Sequence, residues 1–330
     1  MKRWTRRPEG SNWGDFGDDD QIGRLNLITA ERRLAAVAEV REGIAFPLSI
    51  PLDFPKGDYA AGPRKPPRLS STPLGHNQQV LPGFPDVVCD DYAVLYPQYS
   101  TQWDSFAHSG SLFDLDGTGE PVVCYYNGFR ADADIIGDPS GSVPPHADAL
   151  GIETIAQTSV QGRGVMVDLA RAVGHDRVEV GYEQLVDIME QQDVTVETGD
   201  ILCLHTGLTK IILEAGDNLT QEIMETSCAV LDSRDDRLLQ WITDSGVSAI
   251  VADNHAVESF SLDPGQAPGA VLPLHQHCLF KQGIPLGELW WLEDLNQWLR
   301  EHDRSRFLLT APPLRLPGAV GSPVSGVATV

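Results

Sequence analysis

Residues 98–108 bring together four side chains that can bind a metal ion or move a proton. All four occupy even positions: Gln98, Gln102, Asp104 and His108. Successive side chains of an extended backbone point to opposite faces, so these four share one face of a strand, whereas a helix would scatter them around its axis. A straight strand of this length spans roughly 30 Å. One site can use all four only if the segment bends, and Gly110 and the turn-rich residues 114–117 favour a bend nearby.

The residue types in this segment suit two kinds of chemistry. Carboxylate and amide oxygens bind hard or borderline cations such as Mn²⁺, Mg²⁺ or Zn²⁺. A neighbouring histidine can bind a metal ion or transfer protons near neutral pH. A hydrogen-bonded turn at a strand end, without any ligand, is the alternative that these residues alone leave open.

The surrounding pattern predicts a mixed set of strands and helices that must position this segment. Thr29 is predicted to cap a helix over residues 30–42, and prolines 47 and 51 place the 44–52 strand at a sheet edge. A short strand over 92–96 leads into the 98–108 segment. Further predicted strands cover 162–169, 201–207, 247–252 and 307–311, and further helices cover 182–192, 234–245 and 294–301. The Gly/Pro/Ser-rich tail is predicted to be partly extended.

The 330 residues are interpreted as one domain, because strands and helices intermingle along the whole length and no low-complexity linker divides them. Residues 1–29 form an N-terminal arm, and the proline-rich residues 53–90, which include His76, form a long ordered surface loop. An apolar fraction of 42% suits a protein with a sizeable core.

The net charge and the cysteine content of the chain limit its expected binding partners and its expected cellular compartment. A formal net charge of −23 argues against nucleic acid or an anionic membrane as a partner. The five cysteines are widely spaced, which fits neither a disulfide framework nor a cysteine zinc site. No apolar run follows the basic N-terminus, so we expect no signal peptide, no transmembrane segment and a cytoplasmic location.

Residues 98–108 resemble the signature of the metal-dependent cyclase family of hydrolases, His-x-Gly-Thr-His-x-Asp-x-Pro-x-His. This family includes bacterial kynurenine formamidases and isatin hydrolases. Thr101, Asp104 and His108 match the signature, while Gln98 and Gln102 occupy the positions of its two metal-binding histidines. Long chains of the family often read Thr-Gln-Trp-Asp here, as this chain does. Weaker similarities occur at residues 13–26, 125–129, 162–168, 206–207 and 253–258.

The resemblance implies an α/β fold, the swivelling β/β/α domain, with a mixed, partly barrel-like sheet flanked by helices. It implies hydrolysis of a C–N or C–O acyl bond in a small aromatic or cyclic amide, formamide or lactone. The implied cofactor is one or two divalent cations, Mn²⁺ or Zn²⁺. Asp104 and His108 are the expected catalytic residues, and His108 moves the proton.

The same resemblance supplies the other site residues. The expected metal ligands are Gln98, Gln102, Asp104, His275 and Glu288, with His277 as the rival of His275. The expected walls of the substrate pocket are Trp103, Phe106, Tyr125, Tyr126, His255 and Glu258. The last two also follow a predicted strand, and ligand sites favour the carboxyl ends of strands in α/β sheets.

Two other functions stay open at this point. A non-hydrolytic cyclase, dehydratase or isomerase would use Asp104 and His108 as an acid–base pair without metal, and the two glutamines make this credible. A binding protein on the same scaffold is the other. The expected partner is a small-molecule substrate. Because symmetric oligomers are common among enzymes of this size, we expect a homodimer or homotetramer.

Overall fold

The structure is a computed structural model that describes residues 2–72, 77–137, 140, 145–259 and 269–330. Nine strands of these residues form one curled, half-barrel sheet flanked by helices. In chain order they are β1 Ala45–Pro47, β2 Gln102–Asp104, β3 Gln161–Asp168, β4 Ile201–His205, β5 Ala249–Ala252, β6 Leu286–Glu288, β7 Arg306–Thr310, β8 Gly321–Pro323 and β9 Val327–Thr329.

The strands lie side by side in the order β1-β9-β7-β3-β4-β5-β6-β2-β8. The central strands β3, β4, β5 and β6 run parallel to one another. All other neighbours pair antiparallel. The carboxyl ends of the four parallel strands therefore meet at one edge, where Asp168, His205, Asp253 and Glu288 lie.

The α-helices are Ala30–Val37, Gly57–Ala61, Ile152–Gln157, Leu169–Val173, Tyr182–Gln191, Leu208–Ala215, Gln221–Thr226, Asp236–Ser245, Pro273–His275 and Glu293–Glu301. Short 3₁₀ turns cover Gly23–Leu27, Tyr126–Gly128 and Gly216–Asn218, and a π-helix covers Gln276–Gln282. Five two-stranded ribbons pair Arg68–Ser71 with Asp91–Val94, Gln78–Gln79 with Val87–Val88, Ser111–Phe113 with Val122–Cys124, Ile135–Ile136 with His146–Ala147, and Glu179–Val180 with Val230–Leu231.

Alternating side chains of the central strands fill two hydrophobic cores, one on each face of the sheet. Val165 and Val167 of β3 pack with Leu185 and Leu238 of two helices on one face. Met166 of the same strand packs on the other face, within the cluster that also contains Trp290 and Leu295. Because both faces are covered, the parallel strands consist mostly of apolar residues, and the polar ones among them, such as Arg163 and Asp168, form buried ion pairs.

Two predictions about the N-terminal part of the chain agree with the structure. Pro47 lies in an edge strand, since β1 pairs only with β9 among the described residues. The Thr29 hydroxyl caps the first helix by accepting a hydrogen bond from the Arg32 N–H at 3.3 Å. The C-terminal tail, which was predicted to be partly extended, supplies two strands of the main sheet. Of these, β8 pairs with β2, the strand that carries Asp104.

The predicted surface loop over 53–90 contains one short helix and several ribbon strands, which lack the apolar periodicity that would have predicted them. Its ribbon residues are mostly exposed, and His76 lies outside the described residues. Among the residues that the structure describes, no helix combines the length and apolar character needed to cross a membrane.

Candidate active site

The pairing of β2 with β6 brings one amide and two carboxylates to one face of the sheet. Gln102 lies directly opposite Glu288 in the antiparallel register, and Asp104 is two residues further along the same strand. Side chains two apart share a face, and directly opposed residues are neighbours on it. The Gln102 side-chain N–H donates to Glu288 Oε2 at 3.2 Å.

His275 reaches this face from the short helix Pro273–His275, and Glu258 fixes its orientation. The Glu258 carboxylate accepts hydrogen bonds from the backbone N–H groups of Leu274 and His275, both at 2.8 Å, and lies 2.6 Å from His275 Nδ1. A carboxylate on Nδ1 keeps the proton there and directs Nε2 toward the site. Nε2 lies 3.4 Å from Glu288 Oε1 and 3.9 Å from Asp104 Oδ2.

Asp104 is the unsatisfied group of the site. It is 0% exposed, and neither carboxylate oxygen accepts a hydrogen bond from any residue that the structure describes; the side-chain oxygen of Gln102 is in the same state. An uncompensated buried carboxylate costs several kcal/mol. One ligand atom from each of Asp104, His275 and Glu288 lies within 4.8 Å of the others. Two carboxylates, an imidazole and an amide oxygen are donors that a divalent cation accepts, so these residues fit the metal implied by the sequence.

Burial and charge act in opposite directions on these groups. Burial raises the pKa of Asp104. Burial would also raise the pKa of Glu288, but the hydrogen bond to His275 and the charges of His255 and His275 together lower this pKa to about 2. Burial would lower the pKa of His275, but the Glu258 and Glu288 carboxylates raise it to about 10. A bound cation requires neutral imidazole, so binding displaces the proton from Nε2.

His108 lies between the buried carboxylate and solvent. Its Nε2 is 3.9 Å from Asp104 Oδ1, and its side chain is 24% exposed, compared with 1% for Asp104. Gln98 Nε2 lies 3.5 Å from His108 Nδ1. Gln98 packs over Gly321 of β8, where a methyl group would come within 2.3 Å of its Nε2. His108 is thus placed to carry protons between Asp104 and water.

Two cavities adjoin the site and share three lining residues, Tyr59, Gln221 and His255. The first has a volume of about 320 Å³ and includes Glu258, the carboxylate behind His275. The second has a volume of about 300 Å³ and includes Arg64. The rings of Tyr59 and His255 pack edge to face, with their centroids 5.7 Å apart. Burial lowers the pKa of His255, so this imidazole is neutral at the cavity wall.

The structure places the four aromatic residues that were expected in the pocket wall away from these two cavities. Trp103 points to the opposite face of the sheet, where its Nε1–H donates to the Ala311 carbonyl at 2.9 Å. Phe106 and Tyr126 are fully buried and pack against each other, and Tyr125 packs in the same core. None of the four lines either cavity. Side-chain alternation along the strand explains why Trp103 points away from the site, since it lies between Gln102 and Asp104, which face it.

His255 and Glu258 do line the first cavity, and the structure separates the two candidate histidines. His275 joins Asp104 and Glu288, whereas His277 Nε2 lies 3.0 Å from the Thr243 hydroxyl on another helix. Tyr59, Arg64 and Arg177 are among the cavity residues that sequence reasoning missed. No local signal marks them, because two lie in the proline-rich segment and the third is an isolated arginine.

Comparison with known proteins identifies the family of the chain. The family model described as "Putative cyclase" matches residues 47–259. The chain belongs to this cyclase family. A crystal structure described as a novel cyclase is 32% identical, with 97% of each chain covered and a TM-score of 0.76.

More distant members share the fold. Isatin hydrolase A from Ralstonia solanacearum is 16% identical, with 91% of this chain and 97% of that chain covered and a TM-score of 0.56. Isatin hydrolase A from Labrenzia aggregata, bound to benzyl benzoate, is 14% identical, with 91% and 98% covered and a TM-score of 0.55. Comparison with curated protein sequences found no match. The α/β fold that the resemblance implied is confirmed.

Proposed function

We propose that this cyclase-family chain is a metal-dependent hydrolase that cleaves a C–N or C–O acyl bond of a small cyclic or aromatic amide, formamide or lactone. The observation that carries the proposal is the buried carboxylate of Asp104, which accepts no hydrogen bond from the described residues and lies beside His275 Nε2 and Glu288 Oε1. Shared fold with isatin hydrolases supports a cyclic amide among the substrate classes.

The chain would hold the cation with Asp104, Glu288 and His275 Nε2, and the Gln102 side-chain oxygen is the adjacent neutral donor. A divalent cation in this position lowers the pKa of a water molecule and polarises a carbonyl. Glu258 keeps the His275 proton on Nδ1, away from the ligand atom.

His108 is the proton carrier in this proposal. Its Nε2 lies 3.9 Å from Asp104 Oδ1, on the solvent side of the site. An imidazole there can take a proton from the attacking water and deliver it to the leaving nitrogen or oxygen. The buried cavity wall formed by Tyr59 and His255 would keep bulk water from the acyl group.

Metal analysis of matched variants tests the site. The wild-type chain, Asp104→Asn, His275→Gln and His277→Gln are each loaded with Mn²⁺ or Zn²⁺, dialysed and measured for bound metal. We expect about one equivalent or more in the wild type and in His277→Gln, and loss in the other two. Equal metal content in all four would contradict the proposed centre.

Activity measurements test the reaction. Isatin, aryl formamides and small lactones are assayed with loaded and chelated protein. Hydrolysis that is lost on chelation and restored by Mn²⁺ or Zn²⁺ supports the proposal. Turnover that survives complete chelation would instead favour the acid–base alternative, with Asp104 and His108 acting without metal. A ligand that binds and is never converted would favour a binding protein.

A further inference from the structure

Arg64 brings a positive charge to a cavity wall next to the acidic centre. It lines the cavity of about 300 Å³ together with Tyr59, Gln221 and His255. It comes from the 53–90 segment, far in sequence from the other site residues. Its Nη1 donates to the Gln98 carbonyl at 2.9 Å, which anchors one edge of the guanidinium group.

A short chain of contacts places this guanidinium near the proposed reaction centre. Arg64 contacts Gln98, the Gln98 side chain lies 3.5 Å from His108 Nδ1, and His108 Nε2 lies 3.9 Å from Asp104 Oδ1. The positive charge of Arg64 also acts to lower the pKa of Asp104, against the larger effect of burial. Arg64 is therefore connected to the centre through Gln98 and His108.

No carboxylate neutralises Arg64. Within the described ranges it forms no ion pair, although the chain carries 47 acidic residues against 24 basic ones. The carboxylate that lines the same cavity, Asp58, lies 3.4 Å from the backbone N–H of Gln221. The guanidinium contacts the Gln98 carbonyl and the Tyr59 hydroxyl, neither of which carries a charge. A guanidinium has five N–H donors and can bind a carboxylate through two of them.

The rest of the wall favours an anion here rather than in the adjoining cavity. Burial raises the pKa of Tyr59 to about 12, and burial lowers the pKa of His255, so both side chains are neutral. The first cavity has Glu179, Glu225 and Glu258 in its wall, together with Arg177. Arg177 already donates to the backbone carbonyls of residues 224 and 225.

We propose that Arg64 is a specificity residue that binds a carboxylate of the substrate while the scissile acyl group lies at the Asp104–His275–Glu288 centre. This inference rests on the proposed hydrolase function and narrows its substrates to small amides, formamides or lactones that bear an acidic group. It also makes the site a receptor for carboxylates, including the carboxylate that acyl hydrolysis releases.

Binding of benzoate, with benzamide as its neutral isostere, tests the inference without a known substrate. Affinities are measured by calorimetry on the full chain, as wild type, Arg64→Met, Arg64→Lys and Arg68→Met. Arg68 is an exposed arginine of the same segment that lines neither cavity, so it is the matched control. We expect benzoate to bind more tightly than benzamide, and Arg64→Met to weaken benzoate at least about tenfold. Arg64→Lys should retain part of the affinity and Arg68→Met all of it.

The same titrations are repeated on chelated protein and on Asp104→Asn. Benzoate binding that persists there and still depends on Arg64 supports the inference. Absence of benzoate binding by wild type, equal affinity in wild type and Arg64→Met, or binding that requires metal and not Arg64 would each overturn it. Metal content of the wild type is measured separately, so failure of the metal centre is distinguished from failure of Arg64.

Discussion

Gln102 shows how one side chain changes the character of the site. Its amide replaces a histidine of the family signature, and its side-chain oxygen lies buried and unpartnered beside Asp104. The donors around the centre are then mostly oxygens, with His275 supplying an imidazole. Oxygen-rich sites suit Mn²⁺ or Mg²⁺, whereas imidazole donors suit Zn²⁺. The proposed centre should therefore discriminate less strongly for zinc than a site with two further histidines.

Gln102→His should raise the affinity for Zn²⁺ relative to Mn²⁺, because it adds an imidazole donor beside Asp104. Competition calorimetry of both metals with wild type and variant measures the ratio. Gln192→His serves as the control, since that glutamine bonds the backbone of Asp168 far along the sheet edge. An unchanged ratio in Gln102→His would show that residue 102 does not touch the cation.

Glu258→Gln tests how much the orientation of His275 matters. The variant keeps the size of the side chain but loses the charge that holds the proton on Nδ1. We expect metal affinity to fall about 10–100-fold, measured by Mn²⁺ calorimetry. Glu179→Gln changes a carboxylate of the same cavity that does not contact His275, so it should bind metal like wild type. Equal affinity in the two variants would remove Glu258 from this role.

At the scale of elements, the N-terminal arm supports the segment that links two proposed metal ligands. The Trp13 Nε1–H donates to the Phe280 carbonyl at 2.7 Å, and the Arg24 N–H donates to the Gly283 carbonyl at 2.7 Å. Phe280 belongs to the π-helix that follows His275, and Gly283 begins the connection to Glu288. π-Helical turns are frequent at functional sites. The arm packs on its own chain and braces both ligands from behind.

Trp13→Ala should therefore reduce both stability and metal affinity. Trp13 is 1% exposed, and its ring meets Phe280 edge to face at 5.1 Å. We expect a loss of about 3–5 kcal/mol in the free energy of unfolding, measured by chemical denaturation. Phe84→Ala, at an aromatic residue that is 57% exposed, should change it by less than about 0.5 kcal/mol. Full stability of Trp13→Ala would contradict the bracing role of the arm.

Three residues beside Glu258 and Glu288 have strained backbone conformations. Ala256 and Val257, just before Glu258, have φ of 71° and 61°, and Leu289, just after Glu288, has φ of 56°. Such conformations cost about 1–3 kcal/mol each in residues other than glycine and cluster at functional sites. Asn254 holds them, because its side chain accepts from the Val257 N–H at 3.1 Å and its carbonyl accepts from the Leu289 N–H at 3.0 Å.

Across the whole molecule, a second buried charge cluster links the sheet to the last helix. His205 at the end of β4 lies 2.9 Å from Asp168 of β3 and 2.9 Å from Glu293, the first residue of the Glu293–Glu301 helix. Burial would lower the pKa of His205, but these two carboxylates raise it to about 10. Burial would raise the pKa of Asp168, but its hydrogen bonds to His205 and Asn296 and the charge of His205 together lower this pKa.

This cluster predicts a loss of stability at alkaline pH. The pKa of His205 is higher in the folded chain than its ordinary value of 6.5, so its contribution is complete below about pH 6.5 and is lost as pH rises toward 10. Denaturation at pH 6 and pH 9.5 should show a smaller difference for His205→Gln than for wild type. His302→Gln, at an exposed histidine, should retain the wild-type difference. Identical pH dependence in His205→Gln and wild type would contradict the prediction.

The local sequence was sufficient for the strand-face argument and for the outline of the sheet. Even-numbered spacing placed Gln102 and Asp104 on one face, because side-chain alternation is a property of the backbone itself. Apolar runs predicted strands at the positions of β3, β4 and β5, but they did not predict that these strands pair in parallel. The expected homodimer or homotetramer stays a prediction. The choice of His275, Glu258 and Glu288 came from family resemblance and not from spacing.

Only the tertiary structure decided which distant residues meet. Pairing of β2 with β6 and with the tail strand β8 joins residues nearly two hundred or more positions apart, and no local periodicity encodes such contacts. The same packing places the four aromatic residues expected in the pocket wall away from the two cavities. It also brings Arg64 to the second cavity from a segment without regular apolar spacing. A side chain's face follows from its own strand, but its neighbours across the cavity follow from how the whole chain closes.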